Sequence, residues 1–541
     1  MLILEAHHIK KHYSDRLIVS VDDLKVYSGD KIGIVGLNGS GKTTLLNILS
    51  GDLEPDEGTV RQMCNIAYIR QFSDEEIKAG EKALSEFNLT QKIGQENYSG
   101  GEKTRIKIAN AFSKENIMVF ADEPTTNLDI QGVELLEKKL TSMESFFLIS
   151  HDRSLLDRLC NKIIEVVDGR IKEYQGNFTF YQKQRDLEHK NAINEYEKYN
   201  HDKEKLEFAI ENRTHQSKSM RKAPKRMGNS EARLHKRAAN EKQEKIHNTV
   251  NSLKTRLEKL DAKEKPKEIP QVKLDFTLTN PPENKIIISA KELSFSYGSR
   301  RIFEGAAFDI PNRSKTALWG ENGTGKTTLL NLIYSQSNDN IKIVPKANIG
   351  FFQQAFENLN YSKSVLDNVM ENSVQSQTVA RTILARLLFT GDDVFKNVGV
   401  LSGGERIKVS FAKLFVSDAN VLMLDEPTNY LDMPSIEALE NVLKEYEGTV
   451  LFVSHDRAFV NAVANRLLIF ENHKISSFEG NLEGYQKAMD KTNDGAQKEL
   501  ERMALQMRIT QVVAVLSNPK ADKEALETEY QSLLLKLRSW C

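Results

Sequence analysis

The chain has 541 residues, more than one hydrophobic core normally organises, so two or three domains are expected. Its 39% hydrophobic and 28% charged content belongs to a folded globular protein and excludes a disordered one. The net charge of −1 gives no overall pull toward nucleic acid, and no apolar run nears the ~20 residues that span a bilayer.

In chain order, residues 1–13 lack the apolar core and small-residue cleavage site of an export signal, which predicts a cytoplasmic location without a membrane partner. A short apolar strand, Lys31 to Val35, then runs into GLNGSGKTTLLN at Gly36 to Asn47. The pattern G-x-x-x-x-G-K-[ST] after a strand lets backbone amides and a helix N-terminus cradle phosphates. Gly36, Leu37, Asn38, Gly39, Ser40 and Gly41 would form the cradle, followed by Lys42 against the terminal phosphates, Thr43 on Mg²⁺ and Thr44 beside it. Next comes SGGE at Ser99, Gly100, Gly101 and Glu102, a helix start able to hold a γ-phosphate by its hydroxyl, amides and dipole.

The apolar run Ile117 to Glu123 reads as a buried parallel strand that ends on carboxylates. Asp122 would hold Mg²⁺ through water, and Glu123 would polarise the attacking water, as phosphoryl transfer to water requires. SHDR follows at Ser150, with His151 at a strand end.

From Gln182 to Lys265 the pattern is helix, basic loop, helix. Apolar positions at Tyr196, Tyr199, Leu206 and Ile210, then at Val250, Leu253, Leu257 and Leu260, predict an antiparallel hairpin. This segment holds 22 Lys and Arg against 14 Asp and Glu; Arg213 to Arg237 alone holds nine against one. The whole surplus therefore lies at the hairpin tip, where Lys218, Met220, Arg221, Lys222, Lys225, Arg226 and Met227, with Pro224, suit insertion among RNA phosphates. A helix of ~30 residues would carry such a tip about 45 Å from its base. Pro266, Pro270, Pro281 and Pro282 mark a connector.

Beyond Lys285 the same motifs return in the same order. A strand at Thr316 to Trp319 leads into GENGTGKTTLLN, giving Gly320, Glu321, Asn322, Gly323, Thr324, Gly325, Lys326, Thr327 and Thr328. Ser402, Gly403, Gly404 and Glu405 repeat SGGE; Val421 to Glu426 repeats the acidic strand with Asp425 and Glu426; His455 repeats the histidine. The first pair of motifs is offset by 284 residues and the later pairs by 303 or 304, so the first half should have the smaller helical subdomain. After Tyr485 a charge-balanced segment broken by Pro519 predicts a short helical hairpin. The three cysteines, Cys64, Cys160 and Cys541, make no metal-ligand spacing and read as free buried thiols.

Taken together, these motifs resemble those of ATP-binding-cassette proteins over nearly the whole chain apart from its helical inserts. The resemblance implies an α/β fold with two tandem ABC-type P-loop ATPase domains, a long helical hairpin linker and a C-terminal helical extension. Domain limits of 1–181, 182–284, 285–488 and 489–541 follow. It also implies a monomer whose two halves form an intramolecular head-to-tail dimer, each ATP lying between one phosphate loop and the opposite SGGE: Lys42 with Ser402 to Glu405, Lys326 with Ser99 to Glu102. ATP and Mg²⁺ are the implied cofactors. Gln71 and Gln354, ending the matching strands IAYIRQ and IGFFQQ, look like the glutamines that touch Mg²⁺. His151 and His455 resemble the switch histidines, Tyr13 and Tyr297 the aromatics that stack on adenine, and Asp129 and Asp432 the aspartates that couple the two sites.

The helical linker between two cassettes, with YQGNFTFY at Tyr174 and FEGNLEGY at Phe478, resembles the ABC-F subfamily, which binds ribosomes. The spellings DEPTTNLD and DEPTNYLD, with Thr126, Asn127 and Tyr430, are similar to those of Vga-type antibiotic-resistance proteins. That resemblance implies the large subunit of the bacterial ribosome as partner, with entry into the tRNA exit site beside peptidyl-tRNA and rRNA. It further implies displacement of lincosamides, pleuromutilins or streptogramin A compounds. A housekeeping ABC-F translation factor, or the ATPase subunit of a separate transporter, is the alternative.

Overall fold

A computed structural model describes residues 1–71, 85–87, 89, 98, 100–113, 118–126, 128–219, 229–260, 262–263, 282–353, 359–489 and 531, with side chains at 218–219, 229–243 and Ile130 left aside. In the first half, β1 (Leu2–Tyr13) and β2 (Arg16–Tyr27) form an antiparallel pair. β3 (Lys31–Gly36) then feeds α1 (Lys42–Ser50), followed by β4 (Glu57–Gln62) and β5 (Ile66–Ile69). The chain continues through α2 (Gly100–Phe112), β6 (Met118–Asp122), α3 (Ile130–Ser142), β7 (Ser145–Ile149), α4 (Arg153–Leu159), β8 (Lys162–Val167) and β9 (Arg170–Gln175). The nine strands form one sheet in the order β4-β1-β2-β9-β8-β3-β7-β6-β5. Its centre, β3 with β7 and β8 and then β6 and β5, is parallel.

Parallel strands covered on both faces need apolar residues throughout, and FFLI in β7 and MVFA in β6 supply them, every residue of both strands being buried. One apolar cluster lies on the α1 side of the sheet; a second joins the other face to α2, α3 and α4. Carboxylates and loops at the C-terminal ends of such strands meet at one edge, where ligands of parallel α/β sheets bind.

Two helices make the linker: α5 (Phe178–Ser219), 42 residues and about 60 Å long, and α6 (Asn229–Glu258). They run antiparallel, with Lys263 Nζ returning to within 3.1 Å of Glu195 on α5. The helix begins four residues earlier than the apolar periodicity suggested. Asn177 Oδ1 accepts the Phe180 amide, Asp157 Oδ1 accepts that of Thr179, and Phe178 and Tyr181 sink into the core of the first half. α5 is therefore continuous across the expected limit at residue 182. The tip residues 220–228, the prolines 266, 270 and 281, and the C-terminal segment 490–541 apart from Gln531 lie outside the described residues.

The second half repeats the plan with β10 (Ile286–Tyr297), β11 (Arg300–Pro311), β12 (Lys315–Gly320), α7 (Lys326–Ser335), β13 (Ile341–Ile343) and β14 (Ile349–Phe352). Its helical subdomain contains α8 (Val365–Met370) and α9 (Gln377–Arg386). Then come α10 (Gly403–Phe415), β15 (Val421–Asp425), α11 (Met433–Glu445), β16 (Thr449–Val453), α12 (Arg457–Val463), β17 (Arg466–Glu471) and β18 (Lys474–Glu479). Here the sheet divides into β14-β15-β16-β12-β17-β18 and β11-β10-β13. The matching helical segment of the first half falls mostly outside the described residues. Cys160 is buried, whereas Cys64 is half-buried, a departure from the expectation that all the thiols are buried; Cys541 lies outside the described residues. Among the described residues no helix is long and apolar enough to cross a membrane.

Candidate ATP site between the two halves

Both phosphate loops are built on glycines that admit no side chain. Gly41 and Gly325 each adopt φ of 102° as the residue before their helix. A Cβ on Gly41 would stand 2.6 Å from Ile18 O, and one on Gly325 2.4 Å from Ile302 Cγ2. The buried Lys42 donates to Gly36 O and Leu37 O at 2.9 Å; Lys326 donates to Gly320 O and Glu321 O at 2.8 Å. Burial holds both ammonium groups below their usual range, opposed by the neighbouring carboxylates, Glu123 first for Lys42 and Glu426 first for Lys326.

At the ends of β6 and β15 the acidic pairs lie beside the phosphate-loop helices. Thr43 Oγ1 donates to Asp122 Oδ2 at 2.8 Å, and Thr327 Oγ1 to Asp425 Oδ1 at 3.4 Å. Burial raises both aspartates. Glu123 and Glu426 follow in left-handed turns, φ 48° and 50°, a strained region for a residue with a side chain. Their amides donate to Ile149 O at 2.9 Å and Val453 O at 3.0 Å, which pins each turn to the neighbouring strand. Burial first, then the adjacent aspartate, pushes Glu123 up to about 8 and Glu426 to about 7.

Each glutamate meets its histidine. His151 Nε2 lies 3.1 Å from Glu123 Oε1, and His455 Nε2 lies 3.3 Å from Glu426 Oε1. Burial, then the phosphate-loop lysine, lowers both histidines to about 4, so they are neutral at pH 7. Glu123 Oε1 is buried without a hydrogen bond of good geometry among the described residues, and His455 Nδ1 likewise. Polar atoms left in that condition are costly, and they point to a polar occupant of the site.

The halves meet at the phosphate loop of the first. Asn38 N donates to Asp432 Oδ2 at 3.0 Å, and Asn38 Nδ2 to Tyr430 O at 2.9 Å. A Cβ on Gly404 would stand 3.3 Å from Asn38 Nδ2 across the junction and 2.7 Å from Tyr430 O of its own half. One cavity of ≈ 830 Å³ opens here, lined by Tyr13, Asn38, Gly39, Gly41, Lys42, Thr43, Thr44, Gln71, Asp122, Glu123 and His151 of the first half. Ser402, Gly403, Gly404, Glu426, Tyr430 and His455 line it from the second half. Glu405 turns inward to cap α10, accepting from Ser402 N at 2.8 Å and Ser402 Oγ at 2.7 Å, and is not among the lining residues.

Gly100, Gly101 and Glu102 open α2, and at the second loop Gln131 Nε2 of α3 donates across to Glu321 Oε1. Asp129 caps α3, accepting from Gly132 N at 2.9 Å, and pairs with Arg105 at 2.5 Å; Asp432 caps α11, accepting from Ser435 N at 3.1 Å. Tyr297 stands exposed at the end of β10, edge-on to Phe295, and lies outside the cavity. Ser99, Asn127 and Gln354 lie outside the described residues; of the proposed tip only the backbone of Lys218, in the last turn of α5, falls within them.

Several contacts between the halves escaped the motif reading. Arg153 of α4 reaches Glu440 at 3.4 Å and Glu437 at 3.8 Å, and Arg457 reaches Glu134 at 2.9 Å. Their signal was in the sequence, because both the arginines of SHDR and the glutamates recur at the repeat offset.

The ABC transporter family matches residues 19–126 and 303–429. The erythromycin resistance ATP-binding protein MsrA of Staphylococcus epidermidis is 33% identical, over 86% of this chain and 96% of its own. The ribosome protection protein VmlR of Bacillus subtilis (strain 168) is 29% identical over 99% of this chain and 98% of its own. ABC transporter F family member 5 of Arabidopsis thaliana is 29% identical over 93% and 79%. Among solved structures, the archaeal ribosome recycling factor aABCE1, in complex with the stalk protein aP1, shares the fold with a TM-score of 0.61 at 20% identity, over 90% of this chain and 92% of that one. Two cassettes in one chain, joined by a helical hairpin and matched along nearly the full length of such relatives, place this protein in the ABC-F family of ATP-binding-cassette proteins, and it is an ATPase.

Proposed function

We propose that the chain is an ATP-driven clamp that works on the large subunit of the bacterial ribosome and protects it from antibiotics bound near the peptidyl-transferase region. The cavity carries the reading: the Lys42 loop forms one wall and Ser402 to Gly404 the other, so nucleotide bound there would tie the halves together. Lys42 and Lys326 would hold terminal phosphates. Glu123 and Glu426 would take the proton of the attacking water, each beside a neutral histidine, once the charge of bound Mg²⁺ favours the ionised carboxylate. Thr43 and Asp122, beside Gln71, and Thr327 and Asp425 in the other half present hard oxygens suited to Mg²⁺, which keeps several waters and needs few protein ligands; Gln354 would join the second set. Tyr13 and Tyr297 would stack on adenine, and Asp129 and Asp432 would couple the sites.

The names of VmlR and MsrA support the ribosome and drug resistance as the setting. In this reading domains 1–181 and 285–488 close on ATP in the cytoplasm, the linker 182–284 reaches from the tRNA exit site past peptidyl-tRNA, and its basic tip shifts rRNA or drug. The test is bacterial translation in vitro with lincosamide, pleuromutilin and streptogramin A compounds, titrated with the protein. Relief of inhibition for at least one class, lost in a Lys42→Ala variant, is expected. Equal stimulation with and without every drug would overturn protection in favour of a housekeeping translation factor.

A further inference from the structure

The root of α5 is bound to both halves. Phe178 and Tyr181 lie in the core of the first half, where Tyr181 Oη donates to Glu165 Oε1 at 2.7 Å. One residue later, Gln182 Nε2 donates to Glu437 Oε1 of α11, in the second half, at 3.4 Å. The half-exposed Arg185, one turn on, lies 3.5 Å from Glu165 and within the field of Glu437.

Helix α11 has further partners in the first half. Its cap Asp432 accepts from the phosphate-loop amide of Asn38, and Glu437 and Glu440 face Arg153, two residues beyond His151. One 13-residue helix therefore touches the phosphate loop, the start of α4 and the root of the hairpin. A helix of this length moves as a rigid body, so the three contacts form and part together. The repeat partner of Glu437 is Glu134, whose carboxylate meets Arg457 at 2.9 Å.

We infer that Glu437 is a positioning residue through which closure of the Lys42 site fixes the direction of the helical hairpin, with Gln182 and Arg185 as its partners on α5. The inference rests on the clamp reading above. Without the contact, α5 stays rooted in the first half but loses its brace against the second. ATP would then close the halves and leave the hairpin free to pivot about Tyr181. In this scheme the Lys42 site directs the hairpin, because the helix that reads Asn38 also grips Gln182.

The test uses the full-length Glu123→Gln/Glu426→Gln protein with ATP and Mg²⁺. Spin labels are carried on ketone side chains introduced at the exposed positions Phe208 on α5, Asp22 in the first half and Asp309 in the second. Pulsed electron resonance reads three distances, before and after adding Glu437→Ala or, separately, Gln182→Ala. The second variant leaves Arg153 its partners, and Glu437 has a 43% exposed side chain, so neither change attacks a core. With ATP, the 22–309 distance should contract equally in all proteins and the 208–22 distance should stay the same. The 208–309 distribution should be single and narrow in the parent and at least about twofold wider in both variants. A 208–309 distribution equally narrow and equally centred in both variants overturns the inference. Failure of the parent to contract at 22–309 overturns the clamp reading itself.

Discussion

Replacing Glu123 and Glu426 by Gln should stabilise the ATP-free protein while abolishing its turnover. Both carboxylates are buried, held at about 8 and about 7 against an ordinary 4.5. At pH 7 the unfolded chain carries both ionised, so folding must either bury the charge or take up a proton. With ~1.36 kcal/mol per pH unit, the span from 4.5 to 7 costs roughly 3 kcal/mol at Glu123, and a similar cost at Glu426 is less than additive because the two line one cavity. Glutamine removes that cost, and melting should rise by several degrees, at about 2–4 °C per kcal/mol for domains of this size.

The sign of the pH dependence follows from the raised values. Between pH 4.5 and about 8 these two carboxyls hold more protons in the folded protein than in the unfolded chain, so their contribution to wild-type stability falls as pH rises through this window. The variant does not titrate there. Its advantage should be small near pH 5 and largest near pH 8. His151 and His455, lowered to about 4, favour the folded state less as pH falls below 6.5, but they are common to both proteins and largely cancel. Thermal melts of ATP-free protein from pH 5 to 8.5, compared between wild type and variant, measure the difference, and phosphate release measures the loss of turnover, about 10²- to 10⁴-fold. An advantage independent of pH, or a variant less stable at pH 8, would refute the electrostatic reading of these turns.

Lys42→Ala or Lys326→Ala should weaken ATP binding by about tenfold to a hundredfold, the worth of charge-assisted hydrogen bonds, and each alone should depress total turnover; equilibrium binding and phosphate release check this, and full turnover in both variants would disprove shared sites. Gly404→Ala should raise the ATP concentration needed for half-maximal turnover, because the new Cβ would crowd Asn38 Nδ2 across the junction at 3.3 Å and displace Tyr430 O, 2.7 Å away, which accepts from that same amide; unchanged ATP dependence would mean the halves do not close as described. Removing residues 219–227 should leave ATPase activity intact and abolish drug protection. It should also flatten the salt dependence of ribosome binding by about three in the log–log slope, since four basic residues are lost. Protection by the shortened, hydrolysing protein would show the tip to be a plain solvated loop.

What could be read from the sequence was local. Gly36 to Thr43 and Val421 to Glu426 are each a few residues long, and strand, loop and helix follow from hydrophobic period and glycine placement without reference to distant chain. The hairpin was legible for the same reason, through positions such as Leu206 and Leu257. Its first turn was not, because Phe178 and Tyr181 are aromatics that serve the core of the first half rather than the helical seam. Period alone cannot distinguish the two uses.

The meeting of the halves was implied by the family resemblance and not by local pattern, because its partners lie up to nearly 400 residues apart. The resemblance singled out Asp432 as a coupling aspartate and Asn38 as part of the cradle, but neither residue's local sequence names the other as its partner; the fold brings them within 3.0 Å. The repeat even conceals a difference. Glu321 of the second loop receives a hydrogen bond from Gln131, yet at the repeat-related positions the first loop has Leu37 and α11 has Pro434, neither of which can make that side-chain bond. Conversely, the first site is held through Asn38 to a helix that also carries Glu437. Motifs duplicated in sequence therefore differ in at least one side-chain fastening, the Gln131–Glu321 bond. A side-chain bond between Gln131 and Glu321 joins the halves without reaching the hairpin root, whereas α11 touches both loop and root, so equal chemistry in two sites need not produce equal mechanical effect.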